Sequence, residues 1–303
     1  MNPVRAAAVR APFDPRLYQI ATLAGLLTYG LASLQFEIGP PQIVATIGAA
    51  LAVQWLCTRL WKLPAFEPRS ALISALSLCL LLRTHSPGVA ALAAALAVAS
   101  KFVVRVGGKH VFNPTNVALV LLLLVPSGAW VSPGQWGSAA TFGFLMACLG
   151  GLVVHRAARG DVTLAFLACW CAVLFGRSFA LGEPLTIPLH RLESGALLLF
   201  AFFMISDPRT TPDSRAGRVL FAALVALVAG YLQFRLFRTN GLLWSLALCS
   251  PLVPLIDRVL PGSRYAWRRT SPAHGSPPPG VQHEQAPPAA RPLGARALAA
   301  PRA

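Results

Sequence analysis

Long apolar runs alternate with short polar connections along this chain. Ten runs can be placed, at 17–34, 41–60, 70–82, 88–104, 116–125, 137–154, 162–179, 194–205, 217–234 and 241–255. A helix needs about 20 mainly apolar residues to cross a hydrocarbon core. The runs at 70–82, 116–125 and 194–205 are too short to span unaided, and 241–255 is marginal. Polar flanks and neighbouring helices must complete them. The run at 194–205 drops into Asp207-Pro208-Arg209-Thr210-Thr211-Pro212, a charged turn where a membrane chain should still be apolar. That pattern predicts a half-span lining a cavity. From Pro261 onward the apolar period is lost, and Pro, Ala, Gly and Arg predict a disordered basic tail.

Composition agrees with the pattern. Of 303 residues, 55% are hydrophobic and only 12% charged, with a mean hydropathy of +0.61, a polytopic membrane profile. The net charge of +16 would suggest nucleic acid in a soluble protein. Here it follows from the concentration of Lys and Arg in cytoplasmic loops, and no nucleic-acid partner is expected. All six cysteines lie in apolar runs without metal-ligand spacing, so they read as packing residues. Arg5, Arg10 and Arg16 precede the first run with no clear cleavage site, and 17–34 is read as a retained span rather than a signal peptide.

Ten crossings place both termini on one side. Of the 26 Lys and Arg, 21 fall on that side, and five (Arg83, Arg177, Arg191, Arg235, Arg238) on the other. The expected location is therefore the inner (plasma) membrane, multi-pass, with both termini cytoplasmic. A shift of 124 residues lays run one on run six and so on to five on ten. It sets Ser70 on Ser194, Arg83 on Asp207, and Thr115-Asn116 on Thr239-Asn240. Five spans per repeat require the second half to be inverted in the membrane. The expected organisation is an all-α polytopic membrane protein of about ten helices in two inverted five-helix repeats, some helices short or broken. Its divisions are a cytoplasmic segment 1–16, repeats 17–136 and 137–258, and the tail 259–303.

Candidate chemistry gathers at the ends of the short runs. Ser70 and Ser194 each open one, where a serine caps free backbone N–H groups and where an anionic ligand is also favoured. Gly107-Gly108-Lys109-His110-Val111-Phe112-Asn113-Pro114-Thr115-Asn116 combines a glycine turn, a cation and a helix start. It suits an anion site and a plain re-entrant turn equally, and it lacks the spacing of a nucleotide P-loop. His85, His110, His155 and His190 show no metal-ligand spacing. No hydrolase motif is present. The acids nearest the spans are Asp161, Glu183, Glu193, Asp207 and Asp213.

Taken together, Ser70-Ala71-Leu72 opening a short helix, then GGKHVFNPTN, then SGALLLFAFFMISDPRTTP, and a last run ending Pro254-Leu255-Ile256-Asp257, resemble the NqrB/RnfD family. These are membrane subunits of sodium-pumping NADH:quinone oxidoreductases and Rnf electron-transport complexes. The most specific elements are Phe112-Asn113-Pro114 and Phe202 to Pro208. Gly160-Asp161-Val162-Thr163-Leu164-Ala165 is similar to the family's G-E-T-S-x-L-A segment, with Asp161 at the Glu position. The resemblance implies ten helices in two inverted repeats, flavin, and electron transfer through the membrane domain. It implies cofactor-binding roles for Ser70, Lys109, Phe112, Asn113, Thr115, Asn116, Asp161, Thr163, Ser194, Asp207, Pro208 and Arg209. No catalytic or metal-binding residue is assigned.

One departure matters. The family attaches FMN through the Thr of an S-G-A-T motif after the fifth helix, whereas here Ser127-Gly128-Ala129 is followed by Trp130. Covalent FMN is therefore not expected. FMN or riboflavin held noncovalently is the expected cofactor, with Trp130, Trp136 and Phe203 available for stacking. The bilayer and a separate redox subunit are the expected partners. The functional expectation is an electron-transfer subunit with noncovalent or no flavin, a component of a membrane oxidoreductase. The alternative is a small-solute channel or transporter, or a membrane scaffold, on the same repeats. Shortened members of this kind are also similar to proteins encoded near enediyne pathways, where export or redox tailoring would each make sense.

Overall fold

A computed structural model describes residues 14–132, 149–155 and 157–265. The apolar runs become helices: α1 (Pro15–Ser33), α2 (Pro40–Leu60), α3 (Pro68–Leu81), α4 (Pro87–Val103), α5 (Pro114–Leu124), α6 (149–155), α7 (Gly160–Leu181), α8 (Thr186–Leu192), α9 (Gly195–Leu199), α10 (Arg215–Phe234), α11 (Gly241–Cys249) and α12 (Val253–Val259). A π-helical turn, Phe200–Met204, extends α9, and a 3-10 turn, Ser250–Leu252, joins α11 to α12. Among the described residues, short strands are confined to two antiparallel pairs, β1 (Leu82–Thr84) with β4 (Ala129–Val131), and β2 (Arg105–Val106) with β3 (Lys109–His110). The chain is an all-α polytopic membrane protein.

Helix starts are written into the sequence. Helices α1 to α5 each begin with proline, whose fixed φ and missing N–H suit the first turn. Asp14, Ser86, Asn113 and Ser214 each accept a backbone N–H of the turn that follows. Gly107 and Gly108 close the β2–β3 hairpin at φ of 57° and 85°, the left-handed pair that a two-residue hairpin turn requires.

The expected count of ten spans is not met among the described residues. Four helical stretches are long and apolar enough to cross a membrane, Pro40–Leu60, Gly160–Leu181, Arg215–Phe234 and Gly241–Val259. The bent pair Thr186–Leu192 and Gly195–Met204, at 51°, makes a fifth. Helices α3, α4 and α5 have only 14, 17 and 11 residues. Strand β1 follows α3 directly, and the β2–β3 hairpin follows α4. The run at 137–154 lies mostly outside the described residues, as do 1–13 and the tail from 266 onward.

Helix α2 packs along α4, and α7 along α10. Small residues suit a close first approach: Ala50 of α2 and Ala90, Ala93, Ala94 and Ala97 of α4 are all buried. In the second, a Cβ on Gly230 would lie 2.7 Å from Val173 Cγ1, so any larger residue would force that side chain to move. Helix α4 also packs on α5, α10 on α11, and α5 meets α11.

Candidate functional site

The broken helix at 195–204 organises the interior. Its last turn widens, with Ile205 N donating to Phe200 O at 3.0 Å, five residues back. The widening frees carbonyls for other elements. Thr163 Oγ1 of α7 donates to Ala201 O at 2.9 Å, and Asn113 Nδ2 of α5 donates to Met204 O at 3.2 Å. The turn that follows is held by Asp207, whose Oδ1 accepts Arg209 N at 3.0 Å and whose carbonyl accepts Thr210 N and Thr211 N.

At this end of the broken helix lies a cavity of about 260 Å³. The starts of α3 and α5 meet there: Ser70, Ser74 and Ser77 from one, Asn113, Pro114 and Thr115 from the other. Asp207, Pro208 and Arg209 close one side, and Phe102, Phe202, Phe203 and Met204 supply an apolar wall. Asn113 serves twice, since its Oδ1 caps α5 through Asn116 N at 3.1 Å while its amide nitrogen reaches the broken helix. Thr115 Oγ1 donates to Ser74 O at 3.5 Å, tying α5 to α3.

Six of the residues singled out from the sequence thus share one cavity: Ser70, Asn113, Thr115, Asp207, Pro208 and Arg209. The other six lie elsewhere. Lys109 Nζ donates to Thr211 O at 2.8 Å, Asp213 Oδ1 at 3.0 Å and Asp257 Oδ2 at 2.8 Å, which occupies its three N–H groups. Asn116, fully buried, donates to Leu243 O of α11 at 3.1 Å. Asp161 is gripped by Arg218, whose Nε and Nη2 lie 2.8 Å and 2.5 Å from its Oδ2. Thr163 holds the π turn, and Phe112 is half-buried between β3 and α5. Ser194 lines a second cavity. Of the rings proposed for stacking, Phe203 faces the first cavity. Trp130 lies in β4 opposite Arg83, its ring 5.1 Å from that of His85. Trp136 is outside the described residues.

The second cavity, of about 720 Å³, lies at the other end of α3 and of the broken helix. Leu81 and Val131 line it with Ser194, Asn240, Trp170, Arg191 and Arg238. Met204 borders both cavities.

Among the other polar residues lining the first cavity are Gln54, Lys101 and His110, none of which the sequence gave a binding role. Lys101, 5% exposed, donates to Ser70 O at 2.8 Å and Ser70 Oγ at 3.1 Å. Gln54 is equally buried, and its Oε1 has no hydrogen-bond partner, nor has His110 Nδ1. The available signal was a lone amide or cation inside an otherwise apolar run.

Burial, then the charges of Lys101, Arg105 and Arg209, push His110 down to about 4. Its ring is neutral at pH 7. The ordinary value is about 6.5, so between the two values the unfolded chain holds a proton that the folded chain refuses. Stability is therefore full above about pH 6.5 and falls as pH drops toward about 4. Replacing His110 with Gln is expected to flatten that limb of a melting-temperature profile. An unchanged slope in the variant would contradict this account.

Comparison with known proteins bears on the second half of the chain. The model of the NQR2, RnfD, RnfE family matches residues 127–265. That segment, a little under half of the chain, is similar to the NQR2, RnfD, RnfE family. It contains α7 to α12, the broken helix and Asp207, while Ser70, Lys101 and Asn113 precede it. The chain is also similar to proteins named as the D component of an ion-translocating oxidoreductase complex, from Escherichia coli (strain K12), Escherichia coli O9:H4 (strain HS) and Shigella boydii serotype 18. Each is 32% identical over 143 residues, 46% of this chain and 36% of the relative. The match thus spans about a third of the length of these relatives.

Proposed function

We propose that the chain is an integral membrane electron-transfer subunit of NqrB/RnfD type that holds a flavin, FMN or riboflavin, noncovalently in the first cavity. One observation carries the reading: the matched segment contributes Asp207, Pro208 and Arg209 to a cavity that Ser70, Asn113 and Thr115 also line. The residues suit the group. Gln54 Oε1 and His110 Nδ1 are buried without partners and await donors or acceptors, and Phe102, Phe202 and Phe203 offer ring faces. A bound flavin would supply one- and two-electron redox chemistry. The chain's own residues bind and orient the ring and exclude water from it.

The inverted repeat belongs to the same proposal, with halves at 17–136 and 137–258. Packing supports it: α2 against α4 and α4 against α5 correspond, at the 124-residue offset, to α7 against α10 and α10 against α11. The cavities follow suit, since Ser70 lines one and its counterpart Ser194 the other. The excess of Lys and Arg on one side supports a plasma-membrane location with both termini cytoplasmic. The oxidoreductase relatives are named as parts of a complex, which supports a separate redox subunit as partner. A second reading, passage of a small solute, is favoured by two cavities at opposite ends of the short helices with Met204 between them.

Replacing Asn113 with Ala, or Asp207 with Asn, is expected to weaken flavin retention by about tenfold, the worth of one well-placed hydrogen bond. Flavin content of detergent-purified protein, set beside its melting temperature, measures this. Native retention in both variants would remove these residues from the site.

A further inference from the structure

We propose that Gln54 and Lys101 read the imide edge of the ring bound in the first cavity, Gln54 accepting from its N3–H and Lys101 donating to its C2 carbonyl. The proposal rests on the flavin reading above and assigns the residues that give it chemical selectivity. Its basis is the unequal satisfaction of the cavity's polar atoms. Gln54 projects from the apolar helix α2, is 5% exposed, and leaves Oε1 buried with no donor. An amide oxygen held this way costs free energy until a donor reaches it. The ammonium of Lys101 is equally buried, and its two bonds both go to Ser70, at 2.8 Å and 3.1 Å. In its charged form Lys101 carries three N–H donors, so one remains for the cavity.

The cavity lining therefore offers a bare acceptor and a cationic donor together with the apolar Phe102, Phe203 and Met204. A ligand that satisfies both needs a donor flanked by carbonyls on one edge of a flat ring. The pyrimidine portion of a flavin presents that sequence: carbonyl, N–H, carbonyl. A quinone presents carbonyls without the N–H and would leave Gln54 unpaired. Selectivity of this kind is strong, because a site built to hydrogen-bond a group penalises an analogue that lacks it.

The test takes the full-length, detergent-purified chain, washed free of its noncovalent flavin, and titrates it with riboflavin and with N3-methylriboflavin, followed by flavin fluorescence. The native chain is expected to bind riboflavin at least about tenfold more tightly, since the methyl group removes the donor to Gln54. Gln54→Leu should bring the two ligands within about twofold, and Lys101→Met should weaken both by about tenfold. Equal binding of the two ligands by the native chain would overturn the proposal, with the flavin reading intact. Failure of the native chain to bind either would overturn both. The comparison on the native chain does not depend on a variant folding.

Discussion

Replacing Lys109 with methionine is expected to lower the melting temperature by about 10 °C, corresponding to about 3–5 kcal/mol. The expectation follows from what the ammonium holds together. Lys109 extends from the β2–β3 hairpin to Thr211 O, Asp213 and Asp257, joining the segment after the broken helix to the end of α12. The side chains are 16%, 8% and 18% exposed, so water screens them weakly. Asp213 N also donates to Asp257 Oδ1 at 2.7 Å, which fixes the two acids side by side. Without the lysine, two largely buried carboxylates face each other without the ammonium that bridges them. Removing one acid in the same background, Lys109→Met with Asp257→Asn, should recover part of the loss. A native melting temperature for Lys109→Met would show that the clasp contributes nothing. The same variant separates two roles: a structural clasp loses stability, whereas a ligand-binding cation loses ligand at unchanged stability.

Arg83→Met should be comparably damaging, about 3 kcal/mol and about 6–12 °C. Arg83 is fully buried at the end of α3, where the last carbonyls of a helix have no partner of their own. Its guanidinium supplies them: Nη1 donates to Cys79 O at 2.9 Å and Leu82 O at 2.6 Å, and Nη2 to Leu80 O at 3.2 Å. The positive charge also suits the negative end of the helix dipole, and it lies 5.0 Å from the Phe36 ring centroid. Arg83 pairs in register with Trp130, so the loss should propagate into β1–β4 and to the wall of the second cavity at Leu81 and Val131. Arg83→Lys, a point charge with a shorter reach, should recover only part of the stability. A thermal melt in detergent checks both variants. Native behaviour of Arg83→Met would refute the capping role.

What the sequence made legible depended on range. Proline and small polar caps marked the helix starts, and the apolar run at 70–82 lies within two residues of α3 (Pro68–Leu81) at each end. The Asp-Pro turn after 194–205 marked a helix that stops early, because charge and proline forbid its continuation. Number of spans was less legible, since an apolar run states composition and not where a buried arginine or a hairpin will end the helix. Lys109 read as a free cation because its acidic partners stand 104 and 148 residues away in sequence. Lys101 was passed over for the converse reason. A single cation near the end of an apolar helix looks like an interfacial anchor, and only the fold brings it to Ser70, 31 residues earlier. Gln54 carries no local signal beyond being an amide among apolar neighbours. Asn113 was legible because one side chain performs a local task, capping α5, and a distant one, holding Met204.

The absorption spectrum of the detergent-purified chain, recorded before and after denaturation, tests the central claim most directly. An oxidised flavin spectrum near one flavin per chain is expected, with the flavin released into solution when the protein is unfolded. A colourless protein that takes up no added riboflavin, or a flavin that stays on the unfolded polypeptide, would contradict it.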